Sequence, residues 1–204
     1  MLQYQVLDPG TLDLLKKMSS NALFSEYRLV GGTALALQFG HRKSIDLDFF
    51  GNVLIDETDM IQTLTEFGTV RQTTKSPHIQ SFFVNEIKVD IVHYPYNWLV
   101  QEITIDNIRL ASIQDIAPMK LSAIANRGTK KDFVDVSLLL NYLSLNEMLT
   151  LYNKKYPQSS DFFVLRSLTY FEDAEQNADP EMLAEYNWQT IKEKIIDEVS
   201  KIVS

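Results

Sequence analysis

The feature that most constrains the fold is a change in hydrophobic pattern near residue 111. Before this point, short helix-like and strand-like patterns alternate, an order that predicts a sheet with helices packed against it. After this point only helical spacing of apolar residues recurs, which predicts a helical bundle. We therefore predict an α+β protein in which residues 1–110 form a mixed sheet with flanking helices and residues 111–204 form a helical domain.

The spacing of apolar residues and the positions of turn residues locate the expected elements. In the first domain, helices are predicted at 11–18 with Thr11 as N-cap, at 33–39 before Gly40, and at 57–67 before Gly68. Strands are predicted at 27–30, 44–50, 69–74, 78–84, 86–93 and 102–110, with a tight turn at Asn85-Glu86. In the second domain, helices are predicted from the N-cap Ser112 to Asn126 and at 131–142, 146–154, 160–171 and 188–203.

Composition excludes several classes of protein. The chain has no cysteine, so it is neither a disulfide-stapled scaffold nor a zinc–thiolate module. Hydrophobic residues make up 45% of the chain, a content that is too high for a disordered protein. No run of about 18 apolar residues and no leader-like segment is evident, so we expect a cytoplasmic protein that does not enter a membrane.

The net charge of −8 is unevenly distributed along the chain. Residues 172–204 contain nine acids and three lysines, a charge of −6, whereas the remaining 171 residues contain 18 acids and 16 bases, a charge of −2. Basic residues cluster at 41–43 and at 120–131. The overall charge therefore does not exclude a nucleic-acid substrate.

A glycine pair and three aspartates in the first domain suggest a phosphate and metal site. Gly31-Gly32-Thr33 follows a strand and begins a helix, which is typical either of a phosphate-binding helix start or of a tight strand-to-helix turn. Asp46 and Asp48 are expected on one face of a strand, with Ile45 and Leu47 on the core face. Because two adjacent carboxylates repel each other, this pair indicates either a Mg²⁺ or Mn²⁺ site or a solvated sheet face. Asp90, on another predicted strand, would supply a third carboxylate.

The helical domain contains a second group of charged residues. Lys120 and Arg127 are seven residues apart on one helix face, an arrangement that suits a triphosphate, an RNA backbone or an ordinary solvated surface. Asp132 has two readings, as a residue of a functional motif or as a capping acid in the first turn of the next helix. Asp135 lies within an apolar run, where a purely solvated role is less expected.

Three sequence blocks together resemble the nucleotidyltransferase superfamily and, more narrowly, the AbiEii/AbiGii toxin family of bacterial toxin–antitoxin systems. The blocks are GGTALALQFGHRKSIDLDFF (31–50), VDIV (89–92) and KLSAIANRGTKKDFVDVSLL (120–139). The resemblance implies a nucleotidyltransferase-like core in residues 1–110. One departure is Gly32, which stands where the superfamily often has a serine that supplies a phosphate-binding hydroxyl.

The resemblance also implies a role for each matching residue. The implied metal ligands are Asp46, Asp48 and Asp90. The implied catalytic residues are these three together with Lys120 and Asp135. The implied nucleotide-binding residues are Gly31, Gly32, Thr33, Arg42, Lys120, Arg127 and Asp132.

The function implied by the resemblance is Mg²⁺-dependent (or Mn²⁺-dependent) transfer of a nucleotide from an NTP to an acceptor hydroxyl, with the 3′ end of tRNA as the expected acceptor. A cognate antitoxin is the expected protein partner. Two alternatives are also compatible with these residues. They are nucleotidylation of a small molecule or a protein, and a non-catalytic module that binds a nucleotide or a partner.

Overall fold

The structure, a computed structural model, describes residues 1–203. Internal contacts divide the chain into two compact units. Unit 1 comprises Met1–Tyr96 and Gln101–Ala111, and unit 2 comprises Asn97–Val100 and the chain from Ser112 onward. The short segment Asn97–Val100 therefore belongs to the helical unit, although it lies in sequence between strands of the sheet.

Unit 1 contains a seven-stranded mixed sheet and three α-helices within its described residues. The helices are α1 (Pro9–Ser20), α2 (Gly31–Phe39) and α3 (Glu57–Phe67). The strands are β1 (Tyr27–Leu29), β2 (Leu47–Gly51), β3 (Val70–Lys75), β4 (Ile79–Val84), β5 (Ile87–His93), β6 (Ile103–Ile105) and β7 (Ile108–Leu110). Their order is β3-β4-β5-β2-β1-β7-β6, with β2 parallel to β5, β1 parallel to β7, and the other neighbours antiparallel.

Two hairpins of the sheet turn at pairs of residues with positive φ. Asn85 and Glu86 have φ of 48° and 67° and join β4 to β5, as the sequence predicts. Asp106 and Asn107 have φ of 52° and 65° and divide the single strand predicted at 102–110 into β6 and β7. Positive φ at both central residues gives a turn whose twist matches that of antiparallel strands, so both pairs form tight hairpins.

Two predicted boundaries in unit 1 are wrong for identifiable reasons. Helix α1 begins at Pro9 rather than after Thr11, because proline suits the first helical position, where its missing N–H is not needed. Strand β2 begins at Leu47 rather than at residue 44. Ile45 therefore lies outside the alternating part of the strand, and it is 62% exposed rather than part of the core.

Unit 2 is a bundle of six helices within its described residues. They are α4 (Ile113–Asn126), α5 (Lys130–Leu139), α6 (Leu145–Lys155), α7 (Asp161–Leu168), α8 (Glu172–Glu175) and α9 (Trp188–Val203). The predicted start of α4 is confirmed, because the hydroxyl of Ser112 accepts a hydrogen bond from the Asp115 N–H at 3.3 Å. The helix predicted at 160–171 ends earlier, and the separate short helix α8 follows it.

A fully buried ion pair connects two helices of the bundle with the segment Asn97–Val100. Lys155 Nζ lies 2.7 Å from Oδ1 of Asp115, and it also donates to the Asn97 carbonyl at 3.1 Å. The Asp115 carboxylate accepts from the backbone N–H groups of Leu99 at 2.9 Å and Val100 at 3.2 Å. Because every charge here has a partner of opposite sign or a backbone dipole, the pair is tolerated in the interior and fixes this segment.

Part of the acidic charge near the C-terminus is paired within unit 2. Asp179 lies 3.0 Å from Lys130, and Glu175 lies 2.6 Å from Lys192. Among residues 1–203, no helix combines the length and the hydropathy that a membrane span would need.

Candidate active site

The predicted site residues fall into two groups, one in each unit. Unit 1 contains Gly31, Gly32, Thr33, Arg42, Asp46, Asp48 and Asp90. Unit 2 contains Lys120, Arg127, Asp132 and Asp135. The two groups are held by different elements and differ in burial and in hydrogen bonding.

The first group begins at Gly31, where β1 passes into α2. The φ of Gly31 is 68°, a left-handed conformation that glycine adopts without strain. A Cβ at this position would lie 2.5 Å from Oδ2 of Asp48, so the lack of a side chain lets the carboxylate approach the start of the helix. The first N–H groups of a helix have no acceptor within it, so the start of α2 at Gly31-Gly32 is suited to a phosphate.

Thr33 contacts the backbone next to the first aspartate. Its hydroxyl donates to the Asp46 carbonyl and lies 2.7 Å from the Ser44 hydroxyl, and the residue is almost fully buried. Thr33 therefore holds the segment that leads into β2. A direct role of this hydroxyl at a nucleotide stays a prediction.

Asp48 and Asp90 lie side by side on neighbouring strands. In the parallel pair of β2 and β5, Asp48 is opposite Asp90. The alternate residues Leu47 and Phe49 are buried, so the aspartates lie on the other face of the sheet. Asp46 immediately precedes β2 rather than forming part of it. The structure thus brings two of the three predicted carboxylates together by strand register and places the third at the strand entrance.

Lys88 is a member of this group that the sequence analysis did not assign. Its ammonium nitrogen lies 2.5 Å from Oδ2 of Asp90, two residues further along β5. Burial lowers the pKa of Lys88, but the hydrogen bond and charge of Asp90, with the charges of Asp48 and Asp46, raise it, and the net shift is upward. The sequence feature that could have indicated this pairing is the i, i+2 spacing of Lys88 and Asp90, which sets both side chains on the same face of a strand.

The donor set fits a divalent cation that prefers oxygen ligands, although the carboxylates are not gathered into a cluster. Within residues 1–203, no three or more histidine, aspartate or glutamate side chains are arranged to hold a metal ion. One oxygen of Asp90 is instead taken up by Lys88, while its Oδ1 is buried and accepts no hydrogen bond from the described residues. Mg²⁺ and Mn²⁺ prefer carboxylate oxygens, and an unpartnered buried oxygen is a costly feature that a cation would relieve. The metal roles of Asp46, Asp48 and Asp90 stay predictions.

A cavity of about 550 Å³ lies beside Asp46 and Lys88. Its apolar wall is formed by Ile45, Phe83 and Ile87. The exposure of Ile45, which contradicts the predicted strand, is thus explained in part by its position on this wall. A cavity that joins an apolar wall to charged groups is suited to a small organic moiety.

Arg42 lies in the interior of unit 1 rather than on a surface loop. The residue is buried, and its guanidinium donates to the Lys43 carbonyl at 2.9 Å. A contact of this side chain with phosphate stays a prediction.

The second group is a saturated ion network between α4 and α5. Lys120 Nζ lies 3.0 Å from Asp132 Oδ1 and 2.6 Å from Asp135 Oδ2. Arg127 donates two hydrogen bonds to the Asp132 carboxylate, from Nε at 2.9 Å and from Nη2 at 3.1 Å. The Thr129 hydroxyl donates to the same carboxylate at 2.6 Å. Asp132 and Asp135 are fully buried.

This network determines the ionisation of Asp132. Burial alone raises the pKa of its carboxyl group, but the charges of Lys120 and Arg127 and the hydrogen bonds from Arg127 and Thr129 lower it more, so the net shift is strongly downward. Asp132 is therefore an ionised, fully partnered carboxylate, beyond the simple first-turn cap that its position also allowed.

The basic stripe expected on α4 is not a continuous exposed surface. Lys120 is only 4% exposed, whereas the side chain of Arg127 is 57% exposed. Seven-residue spacing sets two side chains on the same helix face, but the packing of α5 against α4 covers the first of them.

The family follows from the sequence match that accompanies this geometry. Residues 13–201 match the nucleotidyl transferase AbiEii toxin family, which is assigned to type IV toxin–antitoxin systems. The chain belongs to this family. The protein is therefore a nucleotidyltransferase, as its sequence blocks predict.

Relatives and structural neighbours of the chain match nearly all of its length. Uncharacterized protein aq_aa25 of Aquifex aeolicus (strain VF5) is 33% identical over an alignment of 187 residues, and the match covers 89% of this chain and 90% of the relative. The structure of JHP933 from Helicobacter pylori has a TM-score of 0.55 at 17% identity and covers 95% of this chain and 88% of its own. MenT4, the nucleotidyltransferase toxin Rv2826c of Mycobacterium tuberculosis H37Rv, has a TM-score of 0.54 at 12% identity, with 97% and 86% covered. The predicted α+β nucleotidyltransferase fold is confirmed.

Proposed function

We propose that this protein transfers a nucleotide from an NTP to an acceptor hydroxyl in a reaction that requires Mg²⁺ or Mn²⁺. The observation that carries this proposal is the register of β2 and β5, which sets Asp48 beside Asp90. The Asp48 carboxylate also approaches the start of α2 at Gly31. This arrangement supports a site at which a phosphate and a divalent cation meet.

Each part of the unit 1 group has a task in this proposal. The N–H groups at Gly31 and Gly32 bind the triphosphate, and Asp46, Asp48 and Asp90 hold the cation, which supplies positive charge to the phosphates. The acceptor oxygen forms a bond to the α-phosphorus, the bond from that phosphorus to the bridging oxygen breaks, and pyrophosphate leaves. The hydroxyl proton passes to water, or to Asp90 where this carboxylate activates the acceptor instead of holding the cation.

The second group has separate proposed roles in unit 2. Arg127 is the member best suited to meet a phosphate, because its side chain is exposed while it remains anchored to Asp132. Catalytic roles for Lys120 and Asp135 would require the Lys120 ammonium to exchange a carboxylate for a phosphate. We keep these roles as hypotheses carried by the family resemblance.

The proposed acceptor is the 3′ end of tRNA, and the cavity beside Asp46 supports a ring-bearing acceptor. Its apolar wall of Ile45, Phe83 and Ile87 suits the flat face of a nucleobase. Asp8 and Glu86 also line the cavity, and they would suit a cationic small molecule instead. The proposal places the reaction in the cytoplasm and includes a cognate antitoxin as the regulating partner.

The test is transfer of label from each of four α-labelled NTPs in the presence of Mg²⁺. Total tRNA, cationic small molecules and total protein serve as separate acceptors. We expect labelled tRNA with the wild type, no labelled tRNA with Asp48→Asn, and wild-type labelling with the control Asp13→Asn, whose side chain is exposed. Label on a small molecule or a protein instead of tRNA would identify that molecule as the acceptor. NTP binding without transfer to any acceptor would favour the non-catalytic module.

A further inference from the structure

The ion pair of Lys88 with Asp90 differs from the buried ion pairs of unit 2 in being incomplete. Lys88 contacts one oxygen of Asp90, and the other oxygen is buried without a hydrogen bond from the described residues. By contrast, the two oxygens of Asp132 receive four hydrogen bonds from Lys120, Arg127 and Thr129. A pair that served only to stabilise the fold would be expected to satisfy both oxygens, because a buried acceptor without a partner has lost its hydrogen bonds to water without replacement.

Lys88 also has room to change its contacts. Its side chain is 41% exposed, and it lines the cavity that is shared with Asp46. The ammonium is therefore held by charge rather than enclosed by packing. The cavity gives the side chain space into which it can turn.

The charges around Lys88 define what it does when no metal is bound. The negative charges of Asp90, Asp48 and Asp46 all stabilise its ammonium. Without a cation, the neighbouring carboxylates of Asp48 and Asp90 would repel each other and destabilise the sheet. A divalent cation on the same carboxylates would in turn be repelled by the ammonium.

We propose that Lys88 is the resident counter-ion of the carboxylate site, and that it competes with the divalent cation for Asp90. This proposal rests on the proposed function, since it assumes that Asp46, Asp48 and Asp90 bind metal. Lys88 is then a positioning residue that keeps affinity for bare metal low. A triphosphate brings negative charge that attracts the ammonium, so metal and nucleotide bind together more tightly than metal alone.

The test is calorimetric titration of Mn²⁺ into the wild type and Lys88→Met, with and without a non-hydrolysable NTP analogue. We expect Lys88→Met to bind bare Mn²⁺ about tenfold more tightly, because the competing charge is gone. We also expect the analogue to raise Mn²⁺ affinity by a smaller factor in Lys88→Met than in the wild type. Lys88→Arg keeps the positive charge, so we expect it to bind Mn²⁺ with the same affinity as the wild type.

Lys75→Met provides a matched control, because Lys75 lies on β3 of the same sheet and forms another lysine–acid ion pair, with Glu57 of α3. Its Mn²⁺ affinity should equal that of the wild type. Equal or weaker Mn²⁺ binding by Lys88→Met, with binding by the wild type intact, would overturn the counter-ion role while leaving the proposed function standing. Absence of Mn²⁺ binding in every variant, with and without the analogue, would overturn both.

A thermal measurement keeps the proposal testable if Lys88→Met is poorly stable. In EDTA this variant should melt below the wild type, because the carboxylates have lost their counter-ion. Excess Mn²⁺ should raise its Tm by more than it raises that of the wild type. An equal rise in both proteins would contradict the competition.

Discussion

Two groups of acidic side chains in this protein share their residue types and differ in their surroundings. In unit 1, Asp48 and Asp90 are partly exposed, and one Asp90 oxygen has no partner within the described chain. In unit 2, Asp132 and Asp135 are fully buried and joined to Lys120 and Arg127. Incomplete pairing leaves capacity to bind a ligand, whereas complete pairing in the interior resists change. The difference predicts that substitutions in the first group act mainly on activity and those in the second mainly on stability.

The largest expected effect is on activity in unit 1. Asp48→Asn should lower the rate of nucleotide transfer on the order of a thousandfold, because it removes the charge of a proposed metal ligand beside the proposed phosphate site. The free energy of unfolding should change by less than about 1 kcal/mol, because the side chain is not enclosed. Transfer kinetics and urea unfolding measure the two effects separately, and a large loss of stability would remove the contrast between the groups.

The next largest effect is on stability in unit 2. Asp132→Asn leaves Lys120 and Arg127 without a full counter-charge, so it should cost about 3–5 kcal/mol of unfolding free energy. Both tryptophans, Trp98 and Trp188, lie in unit 2, so their fluorescence during urea unfolding reports on this unit. Arg127→Met, at an exposed end of the network, should cost about 1 kcal/mol or less. Equal costs for the two variants would contradict the network's dependence on burial.

Gly31 and Gly40 form a matched pair for separating backbone strain from ligand binding. Both have φ near 70°, so alanine at either position should destabilise the protein by about 1–2 kcal/mol. Only at Gly31 would the new Cβ meet the Asp48 carboxylate, whereas at Gly40 it would approach Gln3. Gly31→Ala should therefore also weaken binding of an NTP analogue, and Gly40→Ala should not. Calorimetry with both variants checks this, and equal affinities would argue against a phosphate site at Gly31.

The smallest expected effect is a pH dependence that arises from Asp132. The pKa of its carboxyl group is lowered in the folded protein from an ordinary value of 3.8. Stability from this group is therefore fully present above about pH 5 and is lost as the pH falls through 3.8 toward the lower folded pKa, by roughly 1 kcal/mol at pH 3. Urea midpoints between pH 5 and pH 3 should fall more steeply for the wild type than for Asp132→Asn. Equal changes of the urea midpoint with pH in the two proteins would show that another titratable group determines the loss of stability in acid.

Local signals in the sequence predict most of the elements in unit 1. The boundaries of α3 and the turn at Asn85-Glu86 are confirmed, because a cap, an apolar spacing and a turn pair act over a few residues. The second turn, at Asp106-Asn107, is missed, although it is the same kind of residue pair. Strand alternation in 44–50 predicts a longer β2, and it does not reveal that Ile45 lines a cavity.

The spacing of residues along the sequence does not predict contacts between residues that are far apart in the chain. The register of Asp48 with Asp90 depends on how β2 meets β5, and two aspartates 42 positions apart do not specify it. Helix periodicity places Lys120 and Arg127 on the same face of α4 and does not distinguish them. In the structure, the packing of α5 buries Lys120, whereas Arg127 is exposed. Lys88 shows the opposite case, since its i, i+2 spacing to Asp90 is visible in the sequence.

The most direct test of the central claim is Mn²⁺ binding, in the presence of a non-hydrolysable NTP analogue, by the wild type, Asp48→Asn and Asp115→Asn, the last of which alters the fully buried ion pair with Lys155 in unit 2. The account predicts that Asp48→Asn loses the bound Mn²⁺, whereas folded Asp115→Asn retains wild-type Mn²⁺ affinity despite its lower stability. Retained Mn²⁺ binding in Asp48→Asn, or its loss in folded Asp115→Asn, would contradict the proposed metal site in unit 1.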